Sequence, residues 1–265
     1  MLKVLKTIIA ACCLAVSLAF VYREEPVKEK FVSKVNVVVI DAGHGGHDIG
    51  TRGKVAREAN VALKIALELG QQINDNMPDV KVLYTRDTDE FIELGERSAF
   101  ANRNNADLFI SIHCNSSPKS KTVKGTETYV MGLHKTNGNL EVAKRENSVI
   151  LKETNYKQKY KGFDPESPLA AIMLANYQSA FITSSLRFAD HVEKKFKSVS
   201  DRASRGVKQA GFLVLWRTSM PSVLIETGFL STPEEEDYLN SDDGQEEVAE
   251  SIFEAFKVYK YNMEH

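Results

Sequence analysis

Four side chains that can do chemistry stand where a parallel sheet would bring them together. His44, His113 and Glu226 each come at or just beyond the end of a run of β-branched and other apolar residues, a pattern typical of a buried strand. The carboxyl ends of parallel strands meet at one edge of the sheet, so we expect the three side chains at that edge. Glu58 begins a predicted helix that starts from the same edge. The sequence therefore predicts a site with two imidazoles and two carboxylates.

Two histidines and one glutamate form a ligand set used by hydrolytic zinc sites, which leave the fourth position to water. Bound zinc lowers the pKa of that water to about 7 and polarises the scissile carbonyl. A further carboxylate must then take the proton from the water and pass it to the leaving nitrogen, and we assign this task to Glu226. The four residues together favour metal-assisted hydrolysis of an amide.

Each of these residues also has a purely structural interpretation. His44 lies in a glycine-rich turn, where a histidine can be solvated or hydrogen-bonded. His113 could bond its ring nitrogens to the backbone at the edge of the core, and Glu58 could act only as a favourable charge at a helix N-terminus. Glu226 is harder to explain in this way, because a carboxylate on a buried strand is costly unless it is paired.

Two neighbours offer competing chemistry. His47 is a second candidate ligand in the loop that holds His44, and Cys114 follows His113 as a candidate thiol nucleophile. Adjacent residues of a strand point to opposite faces, so we expect the thiol to point away from the site. The glycines on both sides of His44 are expected to leave space for a bulky substrate.

The elements that position these residues alternate between strand and helix. Such alternation indicates a single α/β domain whose mostly parallel, twisted sheet is flanked by helices. The sequence predicts strands at 37–40, 80–84, 107–112, 126–131, 211–215 and 223–225, and helices at 58–74, 94–104, 181–196 and 245–259.

The region from Gly132 to Gln178 breaks this order. It contains many basic residues, the helix breakers Gly162, Pro165 and Pro168, and one short predicted helix at 141–151. We interpret it as an insertion on the domain.

Composition limits the classes of protein that fit. A chain of 265 residues with 43% hydrophobic residues can bury a substantial core. The net charge is −2, and residues 218–256 contain acidic clusters but no lysine or arginine, which argues against nucleic acid as a partner.

The N-terminus is predicted to be separate from the fold. Lys3 and Lys6 precede an apolar run at 7–21, and small residues at Ser17 and Ala19 fit a secretory signal peptide of residues 1–19. An uncleaved N-terminal anchor, or lipidation at one of the two leader cysteines, is the alternative. A charged linker follows at 20–34. We therefore predict an exported protein of the periplasm or cell envelope that contacts the membrane only through this segment.

Several motifs occur in a fixed order along nearly the whole region from Val35 to Tyr259. They are V-V-I-D-A-G-H-G-G at 38–46, Glu58 with V-A-L at 61–63, T-R-D at 85–87, A-N at 101–102, A-D-L-F-I-S-I-H-C-N at 106–115, R-G-V-K-Q-A at 205–210 and P-S-V-L-I-E-T-G-F-L-S at 221–231. Together these motifs resemble the zinc-dependent N-acetylmuramoyl-L-alanine amidases of bacterial cell-wall turnover.

The resemblance implies a catalytic domain at 35–262 of the phosphorylase/hydrolase-like α/β type. It further implies one Zn²⁺ per chain, held by His44, Glu58 and His113, with Glu226 as the catalytic acid and base. The substrate would be peptidoglycan, cut at the amide between the lactyl group of N-acetylmuramic acid and L-alanine.

Motif position also implies roles for Arg205 and Asn115 as substrate contacts. The chain departs from the usual motifs of the family at two positions. Ala42 stands where proline is usual, and Cys114 stands where a small residue is usual. Neither departure alters a proposed ligand.

Family members that act during cell division often carry an insertion whose helix covers the zinc until an activator protein displaces it. The region 132–178 resembles that insertion in place and length. The resemblance therefore implies autoinhibition relieved by an activator protein, with a blocking carboxylate from one of four residues: Glu141, Glu146, Glu153 or Glu166.

Two other functions remain compatible with the sequence. A zinc peptidase acting on other peptides would use the same site chemistry, because the ligand set does not choose among amides. A wall-binding protein that keeps the fold without catalysis is the second alternative, although all four site positions are filled here.

Overall fold

The computed structural model describes residues 34–167, 169, 174 and 180–265. These residues belong to one unit, Phe31–His265. The signal peptide predicted at 1–19 and nearly all of the linker predicted at 20–34 lie outside the described residues, as do parts of the insertion at 168–179. Among the helices of the described ranges, none combines the length and apolarity that a membrane crossing requires.

The described part of the chain contains a single six-stranded sheet with the order β2-β1-β3-β6-β4-β5. Every neighbouring pair is parallel except β4 with β6, which is antiparallel. The predicted mostly parallel α/β sheet is therefore confirmed. The strands are β1 Val37–Ala42, β2 Lys81–Tyr84, β3 Leu108–Asn115, β4 Thr126–Met131, β5 Ser204–Ala210 and β6 Ser222–Phe229.

Helices cover both faces of this sheet. Those in the described ranges are α1 Glu58–Asn76, α2 Leu94–Arg103, α3 Asn137–Asn147, α4 Tyr156–Lys159, α5 Ile182–Ser198, α6 Pro233–Leu239 and α7 Asp242–Glu264, with a 3₁₀ helix at Ser148–Lys152. The four long helices predicted from apolar periodicity all occur, each within a few residues of the expected ends.

The central strands are apolar throughout because they bury side chains on both faces. In β1, Val38 and Ile40 join a core cluster under α1, α5 and α7, whereas Val39 joins a second cluster on the opposite face. Residues of a strand alternate between its faces, so a continuous apolar run is what a sheet covered on both sides requires.

His113 and Glu226 lie inside strands rather than beyond them. β3 continues through His113 to Asn115, and β6 continues through Glu226 to Phe229. The two residues are register partners in neighbouring strands. Their side chains share the face of the second cluster, because they alternate with residues of the first cluster such as Ile112 and Ile225.

The strand predicted at 211–215 is wrong. Those residues form turns, and the chain contributes β5, at Ser204–Ala210, to the edge of the sheet instead. An edge strand can be polar because one side of it has no strand neighbour, so hydrophobicity does not reveal it. The apolar residues Phe212 and Leu215 are buried in the second cluster from a turn in which Leu215 N donates to Phe212 O.

The segment predicted as an insertion packs over the second face of the sheet. Its short predicted helix occurs as α3 followed by the 3₁₀ helix. Val142, Val149 and Ile150 are buried in the second cluster together with Leu94 and Phe212. The described part of this segment therefore contributes to the core rather than projecting from it.

Candidate metal centre and active site

His44 is held in an uncommon conformation by the loop after β1. Its φ of 61° is left-handed, a region that residues with side chains seldom adopt. Gly45 and Asp48 close the loop with two backbone hydrogen bonds of 2.8 and 3.0 Å. The His44 Nδ1 donates to the Asp48 carboxylate at 2.7 Å, which fixes the ring and directs Nε2 inward.

Glu58 is the first residue of α1, and both of its carboxylate oxygens are fixed by the backbone. Oε2 accepts from Thr51 N at 2.6 Å, and Oε1 accepts from Cys114 N at 2.9 Å. Gly50 permits this arrangement, because a Cβ there would lie 2.6 Å from Glu58 Oε2. The helix start therefore presents its carboxylate to β3 in a single orientation.

The glycines around His44 lie against other parts of the protein, and Gly43 lies against the His113 ring. A Cβ on Gly43 would lie 2.5 Å from the His113 ring, and one on Gly45 would lie 2.1 Å from Glu90 O. The prediction that these glycines leave space for a substrate is therefore wrong. Their space is occupied by the protein itself, and at Gly43 by the imidazole of a candidate ligand.

Four side chains converge at one point: His44, Glu58, His113 and Glu146 from α3. His44 Nε2 lies 3.0 Å from Glu58 Oε1 and 3.3 Å from Glu146 Oε2. His113 Nδ1 lies 3.1 Å from each of the same two oxygens. All four residues are buried.

These residues fit a zinc ion. Ligands about 2.0–2.1 Å from a tetrahedral zinc are separated from one another by about 3.3 Å, close to the spacing found between the imidazole nitrogens and carboxylate oxygens. His44 Nε2 and Glu146 Oε2 are buried and make no hydrogen bond within the described part of the chain. Buried polar atoms are rarely left in this state, so both point to a missing partner.

The two carboxylates make the cluster strongly attractive to positive charge. Burial by itself lowers the pKa of His113, but Glu146 and Glu58 raise it to about 9. Burial also lowers the pKa of His44, but Glu58 raises it, and the result lies well above the ordinary value. Burial raises the pKa of Glu58, whereas His44 lowers it, and the result is about 2. The carboxylates therefore favour a cation between them, either a proton on an imidazole or a metal.

Glu226 lies beside this cluster as the register partner of His113. Its carboxyl group is fully buried. Burial, Glu146 and Glu58 raise the pKa of Glu226 to about 8 against the lowering effect of Arg145. Oε1 accepts from Arg145 Nη2 at 3.2 Å, while Oε2 has no hydrogen-bond partner among the described residues. A carboxyl group that titrates near neutral pH can both accept and donate a proton.

Two buried arginines that the sequence analysis did not assign to the site hold the loop after β1. Arg97 donates to the carbonyls of Ala42 and His44, both at 2.7 Å, and to Asp41 at 2.8 Å. Arg86 donates to Gly43 O at 2.7 Å. The sequence signal was available, because Arg97 takes a core-facing position of α2 at helical spacing from the buried Leu94, Ser98 and Ala101.

Replacing Arg97 by methionine is expected to destabilise the fold by about 3–5 kcal/mol, because it leaves the Asp41 carboxylate buried without its charge partner. Urea unfolding with a chelator present measures the effect without a contribution from bound metal. Arg103→Met on the exposed side of the same helix is the matched control and should leave the free energy of unfolding unchanged. A loss below about 1 kcal/mol for Arg97→Met would contradict the assignment.

Besides contributing Glu146 to the cluster, the segment at 132–178 bonds to residues around it. Arg145 donates from Nε to Glu146 Oε1 at 2.9 Å and from Nη2 to Glu226 and to Asn115 Oδ1, the latter at 3.1 Å. Lys152 Nζ donates to Asp48 Oδ1 at 2.5 Å. The segment therefore touches a candidate ligand set, the carboxylate beside it and the residue that orients His44.

The other carboxylates considered as blocking groups do not reach the cluster. Glu141 and Glu166 are exposed. Glu153 is buried, but it accepts from Leu94 N at 2.9 Å and from the Tyr160 hydroxyl at 3.0 Å, so it caps the start of α2. Of the four candidates, the structure brings only Glu146 to the imidazoles.

The two residues considered as competing candidates, His47 and Cys114, lie outside the cluster. The His47 ring packs on Phe91 at a centroid distance of 4.1 Å and is not part of the cluster. Cys114 points into the first core cluster, as expected, with its Sγ 3.4 Å from Thr227 Oγ1. Burial and Glu58 raise the pKa of this thiol well above its ordinary value, which disfavours a nucleophilic thiolate.

The mostly parallel α/β domain and the buried His/Glu cluster define a class of protein, a hydrolase with a candidate metal site at the carboxyl edge of its sheet. Residues 38–257 match the family described as N-acetylmuramoyl-L-alanine amidase. The chain belongs to this family of amidases, and the resemblance predicted from its motifs is confirmed.

Comparison with individual proteins also gives N-acetylmuramoyl-L-alanine amidases. The chain is 36% identical over 227 residues to the amidase AmiC of Escherichia coli, covering 84% of this chain and 52% of AmiC. It is 34% identical over 228 residues to AmiA of Escherichia coli, covering 84% of this chain and 75% of AmiA. The catalytic domain of the amidase CwlV from Bacillus (Paenibacillus) polymyxa superimposes with a TM-score of 0.63 at 30% identity, covering 85% of this chain and 98% of that domain. The chain thus spans about half the length of AmiC.

Proposed function

We propose that this protein is a zinc-dependent amidase that cleaves the bond between N-acetylmuramic acid and L-alanine in peptidoglycan. The observation that carries the proposal is the buried cluster of His44, Glu58 and His113 with Glu226 beside it. These three residues would hold one zinc ion. Two imidazoles and one carboxylate are a known hydrolytic ligand set.

Zinc, when bound, would supply a Lewis acid and lower the pKa of water to about 7. The protein's own part is proton transfer and orientation. Glu226 Oε2, which is buried and makes no hydrogen bond within the described ranges, is the atom we assign to accept the proton of the attacking water and to return it to the leaving nitrogen. Asp48 keeps His44 Nδ1 protonated and so reserves Nε2 as the ligand atom.

We also propose that the segment 132–178 is a regulatory insertion and that the conformation described here is autoinhibited. Glu146 Oε2 lies 3.3 and 3.1 Å from the imidazole nitrogens of His44 and His113, so it could serve as a further ligand of a zinc ion held there. Arg145, the preceding residue, pairs with the proposed catalytic carboxylate. An activator protein that moves α3 would therefore release both groups at once.

Point variants test this regulation better than deletion of the whole insertion. Val142, Val149 and Ile150 belong to the second core cluster, so their removal would expose buried apolar surface of the catalytic face. A change confined to a carboxylate of α3 leaves that core in place.

Arg205 and Asn115 remain our candidates for substrate contacts. Both bond to Glu127, at 2.6 and 3.1 Å, on the strand next to Glu226. We further propose that the protein is exported to the periplasm or cell envelope, where its substrate lies. Export depends on the N-terminal segment and is tested by locating the mature N-terminus in fractionated cells.

Digestion of purified sacculi tests the activity directly. We expect the full chain to contain one zinc ion per molecule and to release stem peptides that begin with L-alanine. A chelator should abolish release, and added Zn²⁺ should restore it.

Other products would favour the alternatives. Cuts within the stem peptide would indicate a zinc peptidase. Sacculus binding without any cleavage, in a protein that contains no stoichiometric zinc, would indicate a wall-binding protein without catalysis.

A further inference from the structure

A second buried carboxylate lies next to the proposed catalytic one. Glu127 on β4 is the register partner of Glu226 on β6, and only 3% of it is exposed. It accepts four hydrogen bonds: from the Tyr129 hydroxyl at 2.7 Å, Asn115 Nδ2 at 3.1 Å, Arg205 Nε at 2.6 Å and Lys208 Nζ at 2.5 Å. Two cations therefore converge on one carboxylate beside the site.

A β-bulge makes this convergence possible. Thr126 and Thr128 of β4 pair with Ser204 and Val207 of β5, so β5 has one extra residue between these pairs. In a regular strand, residues 205 and 208 would point to opposite faces, because their separation is odd. The extra residue lets both side chains reach Glu127. Gly206, within the bulge, has a φ of +82°, which favours glycine.

The two cations keep unused hydrogen-bond donors. Arg205 bonds to Glu127 only through Nε, and its terminal nitrogens make no hydrogen bond within the ranges that the structure describes. The Arg205 side chain is 42% exposed and that of Lys208 is 21% exposed. One carboxylate between two cations leaves a net positive charge, and the free donors of the Arg205 guanidinium suit an anion with two oxygens.

We propose that Arg205 and Lys208 form a binding subsite for a carboxylate of the stem peptide, with Glu127 as the positioning residue that holds both cations. This inference rests on the proposed function, because that function makes a stem peptide the ligand. Asn115 connects this subsite to the proposed catalytic residue. Its Nδ2 donates to Glu127, and its Oδ1 accepts from Arg145, which also donates to Glu226. It would recognise the peptide on the leaving side of the scissile amide.

The test compares two muropeptides that differ in one group. Both carry L-alanine followed by D-isoglutamate, in one case with a free α-carboxylate and in the other with an α-carboxamide. We expect the full chain to prefer the free acid by about 10- to 100-fold in kcat/KM, mainly through KM, since hydrogen bonds to charged groups are worth this much. Arg205→Met and Lys208→Met should each reduce the preference by about tenfold. The ratio of the two kcat/KM values is measured on one preparation. Inhibition by the insertion that affects both substrates equally therefore does not change this ratio.

Glu127→Gln separates positioning from folding. It keeps the shape of the side chain but removes the charge that holds the two cations together, so we expect the preference for the free acid to fall. Lys194→Met, which removes an exposed lysine paired with Asp190, should leave the preference intact. Lower thermal stability of the Arg205, Lys208 and Glu127 variants with an unchanged preference would assign them a structural role and overturn the proposal.

Equilibrium binding distinguishes failure of the subsite from failure of the proposed function. L-alanyl-D-isoglutamate should bind the full chain more tightly than its amide does, and Arg205→Met should remove the difference. Such binding without turnover of either muropeptide, even in a zinc-containing Glu146→Ala protein, would retain the subsite and refute the amidase. Turnover of both muropeptides with equal kcat/KM would retain the amidase and refute the subsite.

Discussion

Glu226→Gln is expected to lower the turnover of peptidoglycan by about a hundred- to ten-thousand-fold, the usual contribution of general acid and base catalysis. The amide has the size of the carboxylate and can occupy the same buried space beside His113. It cannot accept a proton and return it. Zinc content should remain at one ion per chain, because the ligand set is unchanged. Stem-peptide release from sacculi and metal analysis on the same preparation measure both quantities.

Glu193→Gln is the matched control for this substitution. Glu193 is also a buried glutamate, but it bonds to the hydroxyl groups of Thr126, Thr128 and Ser204 and lies outside the cluster. Its turnover should equal that of the wild type. A Glu226→Gln protein that retains zinc and more than about a tenth of the wild-type rate would remove Glu226 from the proton transfer.

Glu146→Ala is expected to raise basal activity by about 5- to 150-fold, the range typical of coupling between a regulatory element and a site. The substitution removes the carboxylate that faces both imidazoles at 3.1 to 3.3 Å. The three residues that would hold zinc would then leave a further position to water and substrate. Arg145 still contacts Glu226, so the release is expected to be incomplete. Product release from sacculi without any activator measures the effect.

Glu141→Ala provides the control on the same helix. Its carboxylate is exposed and lies 3.7 Å from Lys144, so its removal should leave basal activity unchanged. Zinc content and thermal stability should be measured for both variants, because the loss of a buried charged group can alter either one. A Glu146→Ala protein that is folded, contains zinc and shows no rise in activity would refute the autoinhibition.

Most of the fold could be predicted from local patterns. The buried strands and long helices have strong periodicities, and alternation of strands with helices requires a mostly parallel sheet. Two features could not be predicted in this way. The edge strand β5 is polar, so periodicity placed a strand at 211–215 instead of Ser204–Ala210. The antiparallel pairing of β4 with β6 depends on where a chain returns after a long segment, which no local pattern specifies.

The sequence alone determined which groups could do chemistry. His44, Glu58, His113 and Glu226 were recognisable because each follows an apolar run typical of a buried strand or starts a predicted helix, and such positions lie toward one edge of a parallel sheet. Their motifs also identified the family. The site residues and the family could both be inferred from short segments, because nearby residues determine where a side chain stands in its own strand or helix.

Only the tertiary structure decided which distant groups meet those residues. It selected Glu146 from four candidate carboxylates and placed Arg145 on Glu226. It also filled the space beside Gly43 with the His113 ring and, through a bulge, brought Arg205 and Lys208 onto Glu127. The physical reason is common to all of these contacts. Each joins parts of the chain that are far apart in sequence, so it depends on strand order, register and helix packing rather than on any local pattern.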